Sequence, residues 1–413
     1  MLSGWIHKIR TLGGINFLIL RDKEGLIQTI LPSKEKITGL TNESVVSIIG
    51  QVIGEKRAPG GMEVKVEDLI VLSSAENNLP IEINKEKIPS SLDTILENRT
   101  LTLRNLGERN IFKVQGKTTK AFRDFFLDEG FVEIHSPKIV SQGAETSGAE
   151  MFKVDYFGKK TYLSQSPQLY KQMMVGVYEK VFEVAPVFRA ELHNTTRHLN
   201  EYLSLDIEIG FISTLEDLLL LHQKFIEYLI NHLKNTCQEE FKTLKADFPQ
   251  IVKTPSLKLE EAQKILEKEY QEKASGLLDL TPGQEELICQ YARGKWKSDF
   301  VFITHFPAKK RPFYTMDDPK APQQTLSFDC LFRGLEITTG GLRINKYQDY
   351  LAKMKKFNIN PQDFKEYLDI FRYGMPPHGG FAIGLERLTM KLLGLKNIRE
   401  ACLFPRDLSR LKP

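Results

Sequence analysis

Two segments far apart in the chain each place an arginine beside a predicted strand or helix start. The first is Val187–Glu191, which is followed by a basic stretch at 193–202, and the second is Gly379–Arg387. Arginine presents a planar fork of donors that suits phosphate oxygens. If both arginines serve one ligand, the chain must fold so that these distant stretches meet. The pattern favours a phosphate-rich nucleotide bound from two sides.

The composition sets broad limits on the class of protein. A chain of 413 residues with 41% hydrophobic and 27% charged residues is expected to form about two or three globular domains. The net charge of +4 permits an RNA partner without requiring one. No apolar run approaches the roughly 20 residues needed to span a bilayer, and no signal-peptide pattern is present. We therefore expect a cytoplasmic protein.

The cysteines predict neither a metal site nor a disulfide framework. They are widely scattered and have no metal-ligand spacing: Cys237, Cys289, Cys330 and Cys402. Free thiols in a reducing compartment are the simplest interpretation.

Residues 1–72 predict a small β-barrel. Short β-rich runs alternate with turn sequences such as Gly13-Gly14 and Lys23–Gly25. Several short strands in so small a space are typical of an OB-type barrel, which commonly binds single-stranded nucleic acid. Residues 73–104 have few regular patterns and predict a hinge.

The remaining sequence begins with helical apolar spacing from Phe112 to Phe126, and Gly130 is expected to end that helix. Phe131–Pro137 then predicts a strand. Residues 215–295 are helix-rich, and no chemistry is assigned to them.

Three motifs in order along the chain resemble those of one enzyme family. Phe131–Pro137 resembles motif 1 of the class II aminoacyl-tRNA synthetases, the segment that forms their dimer. Phe188–Glu191 with its basic loop resembles motif 2, and Gly384–Arg387 resembles motif 3. The chain is most similar to aspartyl-tRNA synthetases of the archaeal type, from about residue 4 to the C-terminus.

The resemblance implies an α+β fold. An OB-fold anticodon-binding barrel over 1–72 and a hinge over 73–104 would precede a catalytic domain over 105–413. In that domain an antiparallel sheet is flanked by helices, and a helical insertion spans about 215–295.

The family's reaction has two steps. A carboxylate attacks the α-phosphate of ATP and expels pyrophosphate, and a tRNA ribose hydroxyl then attacks the mixed anhydride. Because the substrate supplies its own nucleophile, the protein needs mainly positioning and charge-neutralising groups. No Ser-His-Asp signature or histidine cluster in the sequence indicates a competing chemistry.

The resemblance implies an ATP site with Arg189 and Arg387 as its catalytic residues. Arg189 would bind the α-phosphate and Arg387 the γ-phosphate. The other implied ATP contacts are Glu191 and Tyr202 at adenine, Arg197 and His198 at the β- and γ-phosphates, and Glu336. Any one of these arginines could instead make solvated surface contacts.

Two acids predict a magnesium site. Asp329 and Glu336 lie on a predicted hairpin where they can converge on ATP, and Thr339 stands where the family has a hydroxyl near the metal. Hard oxygen ligands suit Mg²⁺, which also binds substrate phosphates. The alternative is that the two acids form unrelated salt bridges.

Ser164–Lys171 resembles the aspartate-specific motif of the family. Gln168 and Lys171 would contact the amino acid, and Arg343 would bind its side-chain carboxylate bidentately. Two cations on one carboxylate favour aspartate over asparagine, because an amide would leave buried charge unpaired.

In this chain the family's mobile loop over the amino acid departs from the usual sequence Glu-Gly-Gly or Glu-Gly-Ala. Here it reads Gly143–Glu150. Glu145 is the predicted contact for the substrate amino group, and Glu150 is a possible substitute.

Barrel positions carry the predicted tRNA contacts. Phe17 and Gln28 fall where the family stacks and reads anticodon bases, with Arg10 as a third contact. A lone phenylalanine could instead belong to the barrel core. His7 and Pro59 occupy two surface positions where members that charge only tRNA(Asp) tend to carry tryptophan and lysine. The pair resembles non-discriminating members, and the alternative is neutral drift at the two positions.

The leading hypothesis is a homodimeric ligase that uses ATP, Mg²⁺ and L-aspartate to charge tRNA(Asp) and also tRNA(Asn). A separate tRNA-dependent amidotransferase would amidate Asp-tRNA(Asn). One alternative is an asparaginyl-tRNA synthetase or an asparagine-synthetase relative, although such a relative normally lacks the barrel. Another is a catalytically inactive RNA-binding paralogue, which usually loses the phosphate-binding arginines.

Overall fold

A computed structural model describes residues 1–31, 39–141, 150–192 and 195–412. The chain divides into two compact units, Met1–Arg109 and Asn110–Pro413. The elements of the first unit are β1 (Leu2–Leu12), β2 (Ile15–Arg21), β3 (Leu26–Leu31), β4 (Val45–Gly54), β5 (Met62–Ser73), α1 (Leu92–Glu97) and α2 (Arg99–Thr102).

The first five strands close into a barrel in the order β1-β2-β3-β5-β4. Only β3 and β5 pair in parallel; the other neighbours are antiparallel. Alternate residues point inward and form the barrel core: Ile6, Leu18, Leu20, Leu31, Val46, Ile48, Val64 and Val66. The predicted OB-type barrel is confirmed.

The predicted hinge, 73–104, contains the two short helices α1 and α2. Ser91 caps α1 by accepting a hydrogen bond from the Thr94 amide. A small apolar cluster of Ile81, Ile83 and Ile88 packs beside them. Whether this segment bends in solution stays a prediction.

Nine further helices follow within the described residues. They are α3 (Leu106–Asp128), α4 (Gln168–Tyr178), α5 (Leu215–Thr236), α6 (Gln238–Leu244), α7 (Leu259–Tyr270), α8 (Pro282–Trp296), α9 (Tyr347–Lys356), α10 (Lys365–Arg372) and α11 (Leu385–Leu392). The segment 215–295, predicted to be helix-rich, contains α5 to α8 and a short strand. Gly130, at φ +80°, follows the end of α3.

The strands of the second unit form a large sheet and two small ones. They are β6 (Val132–Glu133), β7 (Ile139–Val140), β8 (Lys153–Tyr156), β9 (Lys159–Leu163), β10 (Lys180–Phe188), β11 (Glu201–Gly210), β12 (Ser256–Lys258), β13 (Phe300–Thr304), β14 (Asp317–Asp318), β15 (Ala321–Thr325), β16 (Ser327–Phe332), β17 (Leu335–Leu342) and β18 (His378–Gly384).

The large sheet has the order β12-β13-β16-β17-β18-β11-β10-β6. Its six central strands are antiparallel, and the short strands β6 and β12 pair in parallel at the two edges. Helices α3 and α5 cover one face with an aromatic core that includes Phe122, Phe225 and Phe381. The α+β prediction, an antiparallel sheet flanked by helices, is confirmed.

The opposite face of the sheet is polar at its centre. On β11, Leu205 and Ile207 point into the apolar core, so the alternate residues Ser204, Asp206 and Glu208 point the other way. The neighbouring β18 places small residues opposite them, with Ala382 paired to Asp206. This combination of buried acids and small neighbours leaves room for a site.

Within the described part of the chain, no helix is both long enough and apolar enough to cross a membrane. All four cysteines are free thiols, and Cys237, Cys289 and Cys330 are buried.

Candidate active site

A cleft over the polar face of the sheet brings together residues from three separate segments. Eight predicted residues line it: Arg189, Glu191, Arg197, His198, Tyr202, Glu336, Thr339 and Arg387. The sequence had assigned seven of them to ATP and Thr339 to its metal. The two arginine-bearing segments therefore meet at one cleft.

Arg189 lies just beyond the end of β10. Its amide donates to the Asn200 carbonyl at 2.9 Å, and the Asn200 side chain donates back to the Arg189 carbonyl at 2.8 Å. These bonds tie the start of the motif 2 loop to its end. The Arg189 guanidinium lies 5.6 Å from the centroid of the Tyr202 ring, which is cation–π distance.

Arg387 lies in the first turn of α11, directly after β18. Its Nη1 donates to the Glu336 carbonyl at 3.1 Å, and its Nε donates to the Arg197 carbonyl at 3.4 Å. The Glu336 carboxylate is 3.7 Å away. Arg387 therefore joins the motif 2 loop to the β16–β17 hairpin.

The two predicted metal ligands lie on that hairpin. Asp329 on β16 faces Thr339 on β17, and Thr339 donates to the Glu336 carboxylate at 2.8 Å. Burial opposes ionisation of Glu336, but Arg387 and the Thr339 hydroxyl hold its pKa below the usual value. Burial raises the pKa of Asp329 despite the nearby Arg311.

Asp329 also forms the salt bridge that the sequence left as an alternative. Arg311 donates to its Oδ2 at 2.7 Å. Its Oδ1 is buried without a hydrogen-bond partner in the part of the chain that the structure describes. Among those residues no group of three or more metal-ligating side chains occurs. An unpartnered carboxylate oxygen beside a second acid fits Mg²⁺, which takes few protein ligands and completes its shell with phosphates and water.

Three of the four predicted aspartate-binding residues, Gln168, Lys171 and Arg343, form a second, fully buried cluster. Lys171 on α4 donates to Asp206 at 2.9 Å and lies 3.3 Å from Glu208. Arg343, just after β17, donates to Glu208 at 2.9 Å through Nε and to Gln168 at 3.3 Å through Nη2. The structure therefore brings Gln168, Lys171 and Arg343 together.

Sequence reasoning missed the two carboxylates of this cluster. Burial opposes ionisation of Glu208, but Arg343 and Lys171 keep its pKa below the usual value. Two buried cations thus face two buried acids, so formal charge alone does not favour an acidic ligand. The signal was present in the sequence, because Ser204, Asp206 and Glu208 alternate along an otherwise apolar strand.

Ser204 connects the cluster to the cleft. It lines the cleft, and its hydroxyl donates to the Asp206 carboxylate at 2.5 Å. Behind the cluster, Gln172 donates to the Tyr350 hydroxyl at 3.1 Å and lies 3.0 Å from His378 Nε2. Burial lowers the pKa of His378 to about 4, so this histidine is neutral at physiological pH.

Glu145 lies outside the described residues. Glu150, the possible substitute, is exposed, and its carbonyl accepts hydrogen bonds from the Ala190 amide at 2.9 Å and the Gln165 side chain at 3.1 Å. Its backbone therefore borders the start of the motif 2 loop.

On the barrel, three predicted tRNA contacts belong to one outer surface. Arg10 pairs with Phe17 across β1 and β2, and Gln28 on β3 pairs with Ile19 two residues further along β2. Phe17 is half-buried and is not part of the barrel core. Gln28 donates to Glu63 at 2.7 Å. An aromatic ring beside an exposed arginine is a suitable platform for an unpaired base.

The structure corrects the expectation that His7 is a surface residue. A β-bulge between Ile6 and Lys8 breaks the alternation of β1, and His7 is only 8% exposed. Its Nδ1 lies 3.3 Å from Arg21 Nη1, and Arg21 is paired with Glu43 at 2.6 Å. Burial is the main cause that lowers the pKa of His7, and the positive charge of Arg21 lowers it further. Pro59 is exposed and opens a 3-10 turn, Pro59–Gly61.

The chain belongs to the class II tRNA synthetases. The family described as "tRNA synthetases class II (D, K and N)" matches residues 91–408, and the "OB-fold nucleic acid binding domain" family matches residues 1–72. The fold, an OB-type barrel and an antiparallel sheet flanked by helices, is that of this class of enzyme.

Curated relatives narrow the similarity further. The "Aspartate--tRNA(Asp/Asn) ligase" of Thermus thermophilus is 46% identical over 100% of this chain and 96% of its own length. The "Aspartate--tRNA(Asp) ligase" of Pyrococcus horikoshii is 40% identical over 100% of this chain and 95% of that protein. Among solved structures, asparaginyl-tRNA synthetase from Pyrococcus horikoshii complexed with asparaginyl-adenylate matches with a TM-score of 0.92. It is 32% identical, and the match covers 100% of this chain and 95% of that one.

Proposed function

We propose that this protein attaches L-aspartate to tRNA(Asp) and to tRNA(Asn) through an aspartyl-adenylate. The observation that carries the proposal is the 46% identity, over the whole chain, to a protein named for charging both tRNAs. The proposal is also supported by the cleft on the polar face of the sheet, which Arg189 and Arg387 both line. A cytoplasmic location is the expected setting for a tRNA substrate.

In the first step Arg189 would stabilise the charge that develops on the α-phosphate, and Arg387 would bind the γ-phosphate. Glu191 and Tyr202 would hold adenine, and Arg197 and His198 the β- and γ-phosphates. Asp329 and Glu336, with Thr339 beside them, would hold Mg²⁺, which neutralises phosphate charge when bound. The protein would also align the amino acid carboxylate with the α-phosphate, so positioning and charge neutralisation together would accelerate the reaction.

The amino acid would bind where the cleft meets the buried cluster. Arg343 and Lys171 would contact the aspartate side chain, with Gln168 beside them, and Glu145 or Glu150 would contact its amino group. Because Asp206 and Glu208 already neutralise the two cations, we infer that hydrogen-bond donors decide between aspartate and asparagine. Both cations offer only donors, and the amide nitrogen of asparagine cannot accept from them.

His7 and Pro59 support the wider tRNA specificity. They replace the tryptophan and lysine expected of enzymes that charge only tRNA(Asp), and Pro59 is exposed beside the anticodon surface. The product Asp-tRNA(Asn) would then pass to a separate amidotransferase.

The test is aminoacylation of pure tRNA(Asp) and tRNA(Asn) transcripts, combined with ATP–pyrophosphate exchange in the presence of L-aspartate or L-asparagine. We expect exchange with aspartate and comparable charging of both transcripts. Exchange with asparagine alone would instead identify an asparaginyl enzyme. Charging of tRNA(Asn) thousands of times less efficient than that of tRNA(Asp) would contradict the wider specificity and leave the aspartate activity standing.

A further inference from the structure

The helical segment between motifs 2 and 3, to which the sequence assigned no chemistry, contacts the cleft at one point. Glu285, in the first turn of α8, forms a short salt bridge with Nη2 of Arg197. Both side chains are largely buried, with 11% of Glu285 and 19% of Arg197 exposed. Arg197 lines the cleft and Glu285 does not. The Glu285 carboxylate therefore pairs with the Arg197 guanidinium without itself lining the cleft.

The carboxylate is held in place by other parts of the fold. Its Oε2 also accepts a hydrogen bond from the Glu336 amide at 3.3 Å, which ties it to the start of β17. Helix α8 begins with Thr281 as N-cap and Pro282 in its first turn, and Gln284 completes a capping box. Glu285 thus projects from a well-defined helix start, whereas Arg197 lies in a loop.

Part of the Arg197 side chain stays open to the cleft, which it lines with 19% of its surface exposed. Its Nε is buried and has no hydrogen-bond partner among the residues that the structure describes. Its carbonyl accepts from Arg387. An arginine that lines a cleft while a buried carboxylate holds its Nη2 is already oriented for an anion.

We propose that Glu285 is a positioning residue that holds Arg197 ready for the β- and γ-phosphates of ATP. The inference depends on the proposed ATP site and extends it to α8. A loop arginine would otherwise lose side-chain entropy when it binds phosphate, and the fixed carboxylate removes much of that cost beforehand. This salt bridge is largely buried, and its carboxylate is also hydrogen-bonded to β17. It therefore differs from exposed ion pairs, which contribute little to stability.

The experiment is ATP–pyrophosphate exchange with L-aspartate, using the full chain. Glu285→Gln keeps the size of the side chain and removes its charge. We expect KM for ATP to rise on the order of tenfold, with kcat changed by less than about twofold. The inhibition constant of AMP, which lacks the β- and γ-phosphates, should stay unchanged. Loss of structure at the cleft would weaken AMP as well, so an equal loss for both nucleotides overturns the proposal.

A double-mutant cycle supplies the second measurement. In an Arg197→Ala background, Glu285→Gln should produce no additional rise in KM for ATP, because its effect passes through Arg197. Additive effects overturn the proposal. Glu286→Gln is the matched control: this neighbouring acid is exposed on the same turn of α8, and its loss should leave KM unchanged.

The cycle also separates this inference from the ATP site on which it depends. A raised KM in Arg197→Ala together with an unchanged KM in Glu285→Gln overturns the role of Glu285 alone. An unchanged KM in Arg197→Ala overturns the assignment of Arg197 to the phosphates, and the role of Glu285 with it.

Discussion

Single residues on the polar face of the sheet decide how much space the site has. Gly380 on β18 lies opposite Glu208, and a Cβ atom there would come within 2.2 Å of the Glu208 carboxylate and of the Ile207 carbonyl. Neither neighbour can move easily, because Ile207 belongs to a central strand and Glu208 is paired with Arg343. The glycine therefore permits the close contact between the strand and the buried cluster.

Gly380→Ala is expected to displace Glu208 and, with it, Arg343. KM for aspartate in the exchange reaction should rise at least about tenfold, and the free energy of unfolding should fall by about 1–3 kcal/mol. Gly294→Ala is the matched control, because a Cβ atom at Gly294 meets nothing within 4 Å. Normal aspartate kinetics in Gly380→Ala would argue against placing the amino acid at this cluster.

Glu386, beside Arg387, gives the stability a pH dependence. It is 4% exposed, and both carboxylate oxygens accept from the Leu203 amide, at 3.2 and 3.1 Å. Burial raises its pKa from 4.5 to about 8. Because the folded-state pKa is raised, its contribution to stability is fully present below about pH 4.5 and is lost as the pH rises towards 8.

Glu386→Gln should remove this loss, since the amide stays neutral and can still accept from the Leu203 amide. The melting temperatures of variant and parent should be similar near pH 5, and the variant should melt at a higher temperature at pH 8. Thermal melts across that pH range measure the difference. If the difference in melting temperature between variant and parent did not change with pH, the raised pKa of Glu386 would be contradicted.

At the scale of whole strands, the alternation of side chains decides which residues point into the core, and a bulge changes that direction. The regular alternation of β11 separates Leu205 and Ile207 in the core from Asp206 and Glu208 in the site. The bulge in β1 has the opposite effect, because it turns His7 inward. A residue assigned to the anticodon surface from its position in a motif is therefore a buried partner of Arg21.

Of the two barrel positions His7 and Pro59, the exposed one, Pro59, is the better place to alter tRNA choice. Pro59→Lys adds a cation at the turn beside β3 and should raise the preference for tRNA(Asp) over tRNA(Asn) by roughly tenfold in kcat/KM. Adding His7→Trp should shift the preference further, but the larger ring must enter a packed position and should cost about 1–3 kcal/mol of stability.

Charging assays on both transcripts measure this preference. Leu72→Lys, which adds the same charge at an exposed position near the far end of β5, is the control and should leave the ratio unchanged. Equal shifts in Pro59→Lys and Leu72→Lys would indicate a general charge effect. In that case Pro59 would have no specific part in tRNA choice.

For the molecule as a whole, we propose a homodimer formed through the motif 1 segment. Leu127 at the end of α3, Val132 on β6 and Ile139 on β7 are apolar and 52%, 39% and 44% exposed. Exposed apolar side chains in and beside the motif 1 segment, Phe131–Pro137, favour contact with a second surface. The family resemblance assigns dimer formation to the same segment.

Val132→Glu should therefore convert the dimer to a monomer, because burying an unpaired carboxylate at the interface is costly. Analytical ultracentrifugation should show the mass fall from that of two chains to that of one. Leu220→Glu, at an apolar position of α5 that is 54% exposed, should leave the mass unchanged. A parent protein that sediments as a single chain would contradict the proposed dimer.

The sequence by itself determined the order of the parts and the identity of the cleft residues. Periodicity and turn residues predicted the barrel, and motif spacing identified the two arginine-bearing segments. These features are local, since a strand pattern or a helix start depends on neighbouring residues. The eight predicted residues that meet at the cleft were found from motifs of this kind.

Only the tertiary structure decided what these residues contact. The pairing of Lys171 and Arg343 with Asp206 and Glu208, the burial of His7, and the contact of Glu285 with Arg197 all join residues distant in sequence. Burial changes the energy of a charge far more than sequence position does, and burial is a property of the packed chain. The motifs therefore predicted which side chains reach the cleft, and packing determined their charge partners.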